Sequence, residues 1–420
     1  MTKVFKFGGA LMKDADGIRK VASIIKANAN DQLIVVVSAL GKTTNQLERI
    51  LQLSINGNHN ELSEAVENLK EKHFKIVDAL FTDHLHCRNK LSDLFNNLEM
   101  QLKNLDPDKY VSYDRIVSFG EKFSTLILNA YFEYINLPCQ AIDACNIIIT
   151  DDNYTSAKIN WQQTTEQGNK KIHPVLAAGQ FVLTEGFIGS DPSGNPTTLG
   201  REGSDFTAAI LASALDADEV TIWKNVPGLM NADPNRFKDC IKLDQISYHE
   251  AIELAFYGAS VIHPKTIQPL QQKNIPLFVR SFDDLSIKAS VISKDTSMDD
   301  KQPKVIVKDK QILLSINSRD LSFIAEDHLM QIFNAFSSHK IHINLMQHSA
   351  VSFSVCFDSN LNKLEALLSD LKNDFTVKYN DGLQLITMRH YTEELISNFV
   401  KGKKIFLEQK SRSTVQLLVQ

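Results

Sequence analysis

The sequence predicts an α/β protein: a large domain on a largely parallel sheet, followed by a smaller unit of ferredoxin-like βαββαβ size. Three observations lead there. Continuous apolar runs such as Leu33-Ile34-Val35-Val36-Val37 have the character of strands buried on both faces. Helical stretches alternate with such runs up to about residue 295, the pattern of a parallel layered sheet. Beyond the polar segment Ser293–Pro303, which reads as a linker, the pattern changes to short strands and paired helices.

Taken in order, Val4–Phe7 is a short strand ending at Gly8-Gly9, and Asp16–Ala29 an amphipathic helix. Leu33–Ser38 is the second strand, and residues 45–104 are helical, leucine-spaced on one side and polar on the other. Further buried strands are expected at Arg115–Ser118, Phe181–Thr184, Glu219–Trp223 and Pro276–Val279, with helices at Ser204–Leu215 and Tyr248–Tyr257 between them. After the linker come strand Ile312–Asn317, helix Glu326–Ser338, strands His342–Gln347 and Ser352–Phe357, helix Leu361–Leu371 and strand Phe375–Tyr379. Residues 383–420 restart the unit with strand Leu383–Met388, helix Glu393–Phe399 and strands Lys404–Glu408 and Val415–Val419, and run out before a second helix.

Composition narrows the function. The 420 residues are 43% apolar and 23% charged, with a formal net charge of −5. An acidic balance argues against a protein that coats nucleic acid. A polyanionic ligand must therefore meet a few placed cations. The five cysteines are scattered, without a CxxC pair, which fits a reducing compartment better than a disulfide or zinc framework. Met1–Phe7 runs into a strand pattern without signal-peptide anatomy, and no apolar run reaches membrane-spanning length. A soluble, cytoplasmic protein is expected.

Five segments could carry chemistry. Lys6-Phe7-Gly8-Gly9 pairs a lysine with glycines whose backbone can approach phosphate oxygens; the same glycines could simply form a tight turn. In Ser38–Asn45, Gly41-Lys42-Thr43 has the tail of a P-loop, but Val36 stands where that motif needs its first glycine. What remains is a hydroxyl-rich loop suited to a small polar substrate, or a helix capped by Thr43 or Thr44. In Ser118-Phe119-Gly120-Glu121-Lys122, Glu121 either favours a helix N-terminus or accepts a substrate ammonium group. The densest segment is Thr197–Thr207, where Arg201, Ser204 and Asp205 converge on a helix start able to bind carboxylate or phosphate. Trp223–Asn235 follows a strand with a lysine and two turn signals, and could hold a purine or be a surface turn. Asp83-His84-Leu85-His86 and the basic tail read as solvated surfaces.

In chain order these segments, together with Phe256–Pro264, resemble aspartate kinases of the amino-acid kinase family over about residues 3–295. The tail resembles the regulatory ACT domains of the same enzymes. The resemblance implies a three-layer amino-acid-kinase-like fold with a catalytic domain at 1–295, its N-lobe binding aspartate and its C-lobe nucleotide. An ACT domain at 304–382 and a short ACT-like domain at 383–420 would follow. Position by position, Lys6, Gly8 and Gly9 look like the phosphate-handling strand end, and Lys6 and Asp205 like the catalytic pair, Asp205 orienting lysines around the transferred group. Thr44, Glu121, Arg201 and Ser204 resemble the aspartate-binding residues, with Arg201 on the α-carboxylate and Glu121 on the α-amino group. Trp223, Lys224, Asn225, Met230, Asn235 and Arg236 fall in the nucleotide-binding segment. The family's usual Thr-Asp is Lys224-Asn225 here, its loop tyrosine is Met230, its arginine is Asn235 with Arg236 beside it, and its lysine is Ser260. Lys224 or Lys265 is expected to supply the missing charge.

The activity so implied is ATP-dependent phosphorylation of L-aspartate to 4-phospho-L-aspartate, with Mg²⁺ carried on the nucleotide and no dedicated protein metal site. That is the first step toward lysine, threonine and methionine. The β-carboxylate is already ionised near neutrality, so no general base is required. A homodimer with lysine or threonine as effector is expected by the same resemblance. The alternatives are a kinase of this fold acting on another acid such as glutamate, and a non-catalytic amino-acid sensor with impaired ATP binding.

Overall fold

The computed structural model describes residues 1–259, 262–320 and 322–420. Its strands are β1 (Thr2–Phe7), β2 (Gln32–Val37), β3 (Cys139–Ala141), β4 (Phe181–Glu185), β5 (Ile188–Ser190), β6 (Pro196–Thr198), β7 (Glu219–Lys224), β8 (Leu229–Met230), β9 (Lys242–Leu243), β10 (Gln245–Ser247), β11 (Leu277–Ser281) and β12 (Ser290–Ser293), followed by β13 (Lys304–Ser318), β14 (Ile343–His348), β15 (Ser352–Asp358), β16 (Phe375–Arg389), β17 (Ile405–Lys410) and β18 (Thr414–Val419). The helices are α1 (Ala15–Ala27), α2 (Thr43–Ile55), α3 (His59–Leu80), α4 (Leu85–Lys103), α5 (Lys109–Val117), α6 (Phe119–Tyr134), α7 (Trp161–Lys171), α8 (His173–Ala177), α9 (Gly203–Ala214), α10 (Tyr248–Tyr257), α11 (Pro264–Lys273), α12 (Glu326–Ser338), α13 (Leu361–Leu371) and α14 (Glu393–Val400). They form two compact units. The first is Met1–Leu229, Lys242–Ile252 and Val261–Thr296; the second is Met230–Ile241, Glu253–Ser260 and Ser297–Gln420. No helix among the described residues is long and apolar enough to cross a membrane.

The first unit is built on an eight-stranded sheet in the order β10-β12-β11-β7-β1-β2-β4-β3. Its pairs are parallel except β11 with β12. Side chains alternate across a strand, and that alternation sorts the layers. Phe5, Phe7, Leu33, Val35, Val37 and Trp223 join the apolar cluster that also takes residues from α1 to α6. Val4, Ile34, Val36, Val220 and Ile222 are fully buried, and α9 packs against β1, β2 and β7. The result is the three-layer fold, helices on both faces of a mixed sheet.

One expected strand is a helix. Arg115–Ser118 forms the end of α5 and the turn into α6, not a strand. Asp108 caps that helix by accepting the Tyr110 N–H at 2.8 Å, and Ile116 and Val117 are its buried apolar residues. Asp108 is the helix start signal in the sequence.

The second unit carries a six-stranded antiparallel sheet, β14-β15-β13-β16-β18-β17. Its half with α12 and α13 has ferredoxin-like character and encloses Ile312, Leu314, Ile316, Phe336, Phe357 and Phe375. The other half packs Ile386, Met388, Val415 and Leu417 against α14 residues Leu395, Ile396 and Phe399. The strands expected at Phe375–Tyr379 and Leu383–Met388 are one strand, β16. Asn380-Asp381-Gly382 does not break it, because Gly382 takes a positive φ of 71° and the pairing with β13 slips on either side of Gln311. A bulge of this kind bends a strand without ending it. β13 likewise starts at Lys304, before the expected Ile312.

Candidate active site

The ends of β1, β2 and β7 lie at one edge of the sheet in register, Phe7 beside Val37 on one side and Trp223 on the other. Ligands of open α/β sheets bind outside the carboxyl ends of parallel strands. Here the connections leaving those strands, with the starts of α6 and α9, line a cavity of about 640 Å³. Of the residues singled out from the sequence, Lys6, Gly9, Thr44, Glu121, Arg201, Ser204, Asp205 and Lys224 all face it.

Alternation explains how the charges meet. Lys6 pairs in register with Ile222, so Lys6, Ile222 and Lys224 point to the α9 side of the sheet. The first turn of α9 carries Asp205. Lys6 Nζ lies 2.5 Å from Asp205 Oδ1, and Lys224 Nζ 3.5 Å from Oδ2. Asp205 is 3% exposed. Burial opposes its ionisation, yet the two lysines together hold its carboxyl below the ordinary range. The result is a buried anion that fixes two cations side by side at the cavity wall.

The same alternation places Trp223 on the opposite face. It is stacked on Phe7 at 5.8 Å and sits edge-on to Phe5. This is core packing under the strand ends, and Trp223 is not among the residues lining the cavity. Asn225 is exposed beyond it. Met230, Asn235 and Arg236 belong to the second unit, where Arg236 forms an ion pair with Asp309. Lys265 is within 3.5 Å of Ser156 Oγ, whereas Lys224 reaches Asp205. Ser260 lies outside the described residues.

Glu121 is a second buried carboxylate, 2% exposed, in the first turn of α6. Its Oε1 accepts the Ala39 N–H at 3.2 Å, while Oε2 is buried without a hydrogen-bond partner among the described residues. Burial pushes its pKa up to about 8, the Ala39 bond and Lys6 oppose that, and the nearby Glu185 adds to it. A buried acceptor left unmade costs on the order of 1–3 kcal/mol, so the pocket favours an arriving N–H donor. Arg201, exposed at the turn before α9, makes no ion pair among the described residues.

The loop after β2 is held from several sides. Gly9 must lack a side chain, because a Cβ there would strike the Ala39 carbonyl oxygen, and the Gly41 N–H bonds the Gly9 carbonyl at 2.8 Å. Neither Thr43 nor Thr44 caps α2: Thr43 Oγ1 donates back to Leu40 O at 2.6 Å, and Thr44 faces the cavity. Lys72, from α3, donates to Leu40 O, Thr43 Oγ1 and Gln46 Oε1 at 3.0–3.3 Å. No sequence motif marks Lys72, nor Tyr113, which lines the cavity with its hydroxyl on Glu48 Oε1 at 2.6 Å.

Chemically, the cavity combines a desolvated carboxylate with a spare oxygen, a free guanidinium and a pair of anchored lysines. That set suits a small zwitterion beside a phosphate chain. Residues 1–281 match the model of the amino acid kinase family. Lysine-sensitive aspartokinase 3 of Escherichia coli (strain K12) is 30% identical over 96% of this chain and 90% of its own length. Chloroplastic aspartokinase 1 of Arabidopsis thaliana is 30% identical over 96% and 70%. Among solved structures, E. coli aspartokinase III in complex with lysine and aspartate superposes with a TM-score of 0.84 at 28% identity, covering 99% of this chain and 95% of that one. The same enzyme with aspartate and ADP gives 0.83 at 27%, covering 100% and 96%. The chain belongs to the amino acid kinase family, and within it to the aspartokinases.

Proposed function

We propose that the chain transfers the γ-phosphoryl group of ATP to the β-carboxylate of L-aspartate, giving 4-phospho-L-aspartate, at the head of the route to lysine, threonine and methionine. The observation that carries this is the presence, in one cavity, of Glu121 Oε2 and the Arg201 guanidinium, both without an ion-pair partner among the described residues, and of the Lys6–Asp205–Lys224 cluster. Glu121 takes the α-ammonium group and Arg201 the α-carboxylate, bidentate. Thr44 and Ser204 supply hydroxyls along the substrate. That leaves the β-carboxylate, ionised near neutrality, directed at the lysine cluster.

The remaining work is alignment and charge neutralisation. Lys6 and Lys224 draw the phosphoryl oxygens, and Asp205 keeps both ammonium groups in place as charge redistributes. The Gly8-Gly9 amides complete the phosphate side. Both Asp205 oxygens already face lysines, so a magnesium ion would be held by the nucleotide's phosphates, where it supplies further neutralisation. Lys224 and the exposed Asn225 at the end of β7 would receive the nucleoside, with Trp223 bracing the strand end from the core. Lys224, seated on Asp205, favours the catalytic reading over a sensor that has lost ATP.

Release of ADP from MgATP on addition of aspartate, but not glutamate, tests the proposal. Turnover with glutamate but not aspartate would move the substrate to the longer acid, and no release with either would end the reading. Arg201→Ala is expected to raise the aspartate KM about 30- to 100-fold, the cost of about 2–3 kcal/mol for a lost charge-assisted pair, with the ATP KM within about twofold. An unchanged aspartate KM would remove Arg201 from the site. The second unit, by its likeness to the E. coli enzyme solved with lysine, is assigned to effector binding in a cytoplasmic homodimer, with lysine placed ahead of threonine. Activity measured with each amino acid separates the two.

A further inference from the structure

Asp114 lies outside every motif considered so far, yet it is fully buried beside the cavity. Its neighbour Tyr113 lines that cavity, as do Thr155, Thr198, Gly200 and Arg201. Asp114 Oδ2 accepts the Thr155 N–H at 2.9 Å and the Thr198 N–H at 2.7 Å, and Oδ1 accepts the Thr198 hydroxyl at 2.7 Å. One carboxylate thus ties α5 to two segments distant in sequence.

Both segments need such a tie. Thr155 is β-branched and has a φ of 68°, a backbone state such residues rarely hold unless the surroundings impose it. Thr198 ends β6, and the chain turns at Gly200, φ 78°, before Arg201. The Gly200 turn packs so closely on Thr155 that a Cβ there would lie 3.3 Å from the Thr155 carbonyl oxygen. A shift of Thr155 would therefore displace the turn from which Arg201 projects.

We infer that Asp114 is a positioning residue for the carboxylate-binding arm of the site: by accepting hydrogen bonds from Thr155 and Thr198 it sets the backbone that aims Arg201 at the substrate α-carboxylate. This deepens the proposed function and rests on it for the identity of the substrate. The role needs acceptors more than charge. An asparagine could turn its oxygen to the two backbone N–H groups and its NH₂ to the Thr198 hydroxyl, which would rotate to accept.

The test compares Asp114→Ala, Asp114→Asn and Thr198→Val. The alanine variant is expected to raise the aspartate KM about tenfold or more while the ATP KM stays within about twofold, since lost buried hydrogen bonds act on one arm only. Asparagine should recover most of the loss. Thr198→Val, which keeps both bonds to Oδ2, should give a smaller change of the same kind and serves if the alanine variant does not fold. A merely structural role would move both KM values together or lower only the melting temperature, and either result overturns the inference. Hydrogen exchange at the Thr155 and Thr198 amides, faster in Asp114→Ala and restored in Asp114→Asn, tests the tie without substrate; unchanged exchange contradicts it. Wild-type turnover with aspartate is the separate control on the function itself.

Discussion

Replacing Asp205 with asparagine is expected to lower kcat about 10³-fold, as removal of a preorganised electrostatic group does, while the aspartate KM moves far less. The carboxylate is buried and lies 2.5 Å from Lys6 Nζ and 3.5 Å from Lys224 Nζ. Without its charge the two ammonium groups repel and lose their anchor when the phosphoryl group needs both. Breaking a buried ion pair by removing one partner also destabilises by about 3–5 kcal/mol. Because the Asp205 pKa is lowered in the folded chain, its stabilising contribution is present above the ordinary carboxylate pKa and disappears as pH falls through the folded value. The variant should accordingly lose less stability in acid than at neutrality. Steady-state kinetics and a melting curve at several pH values check both points. Retention of more than a tenth of the wild-type kcat in a folded variant would take Asp205 out of the machinery.

Substitution of Glu121 by glutamine should raise the aspartate KM about 10²-fold, the scale on which a buried charge partner is lost, and abolish its pH dependence. In the free protein burial places the Glu121 pKa at about 8, so the carboxyl is mostly protonated at pH 7 and must ionise to hold an ammonium group. The wild-type aspartate KM is therefore expected to fall as pH rises from about 6.5 to 8.5, by up to about tenfold per unit below the pKa. The stability term has the opposite sign. With the folded pKa raised, the contribution is complete below the unfolded carboxylate pKa and is lost as pH climbs toward 8. Glu121→Gln should thus bind substrate poorly yet melt no lower than wild type above pH 8. A wild-type KM flat across this range would contradict the assignment of Glu121.

How far these features could be read without coordinates depends on the range of the interactions that make them. Local periodicity was enough for α10, α12 and α13, whose observed limits are those expected from the sequence. It also located the strand ends carrying Lys6 and Lys224. It could have placed Trp223 as well, because alternation from Lys224 sends that indole to the Phe7 side, away from the lysines. The strand expected at Arg115–Ser118 is a helix end because Ile116-Val117 suits both a strand and a helix face, and the deciding cap lies eight or nine residues earlier, at Asp108. Asp114 was illegible for another reason. Its partners Thr155 and Thr198 are 41 and 84 residues away, and no spacing rule joins them. The fusion of two expected strands into β16 likewise depends on its pairing with β13.

The most direct measurement traps the product. Purified protein with MgATP, L-aspartate and hydroxylamine should form aspartate β-hydroxamate in proportion to ADP released, because only an acyl phosphate on the side-chain carboxyl gives that adduct. Formation should cease without aspartate and nearly cease in Asp205→Asn. ADP release without hydroxamate, or hydroxamate at the α-carboxyl, would contradict the arrangement in which Glu121 and Arg201 hold one end of aspartate and Lys6, Asp205 and Lys224 act on the other.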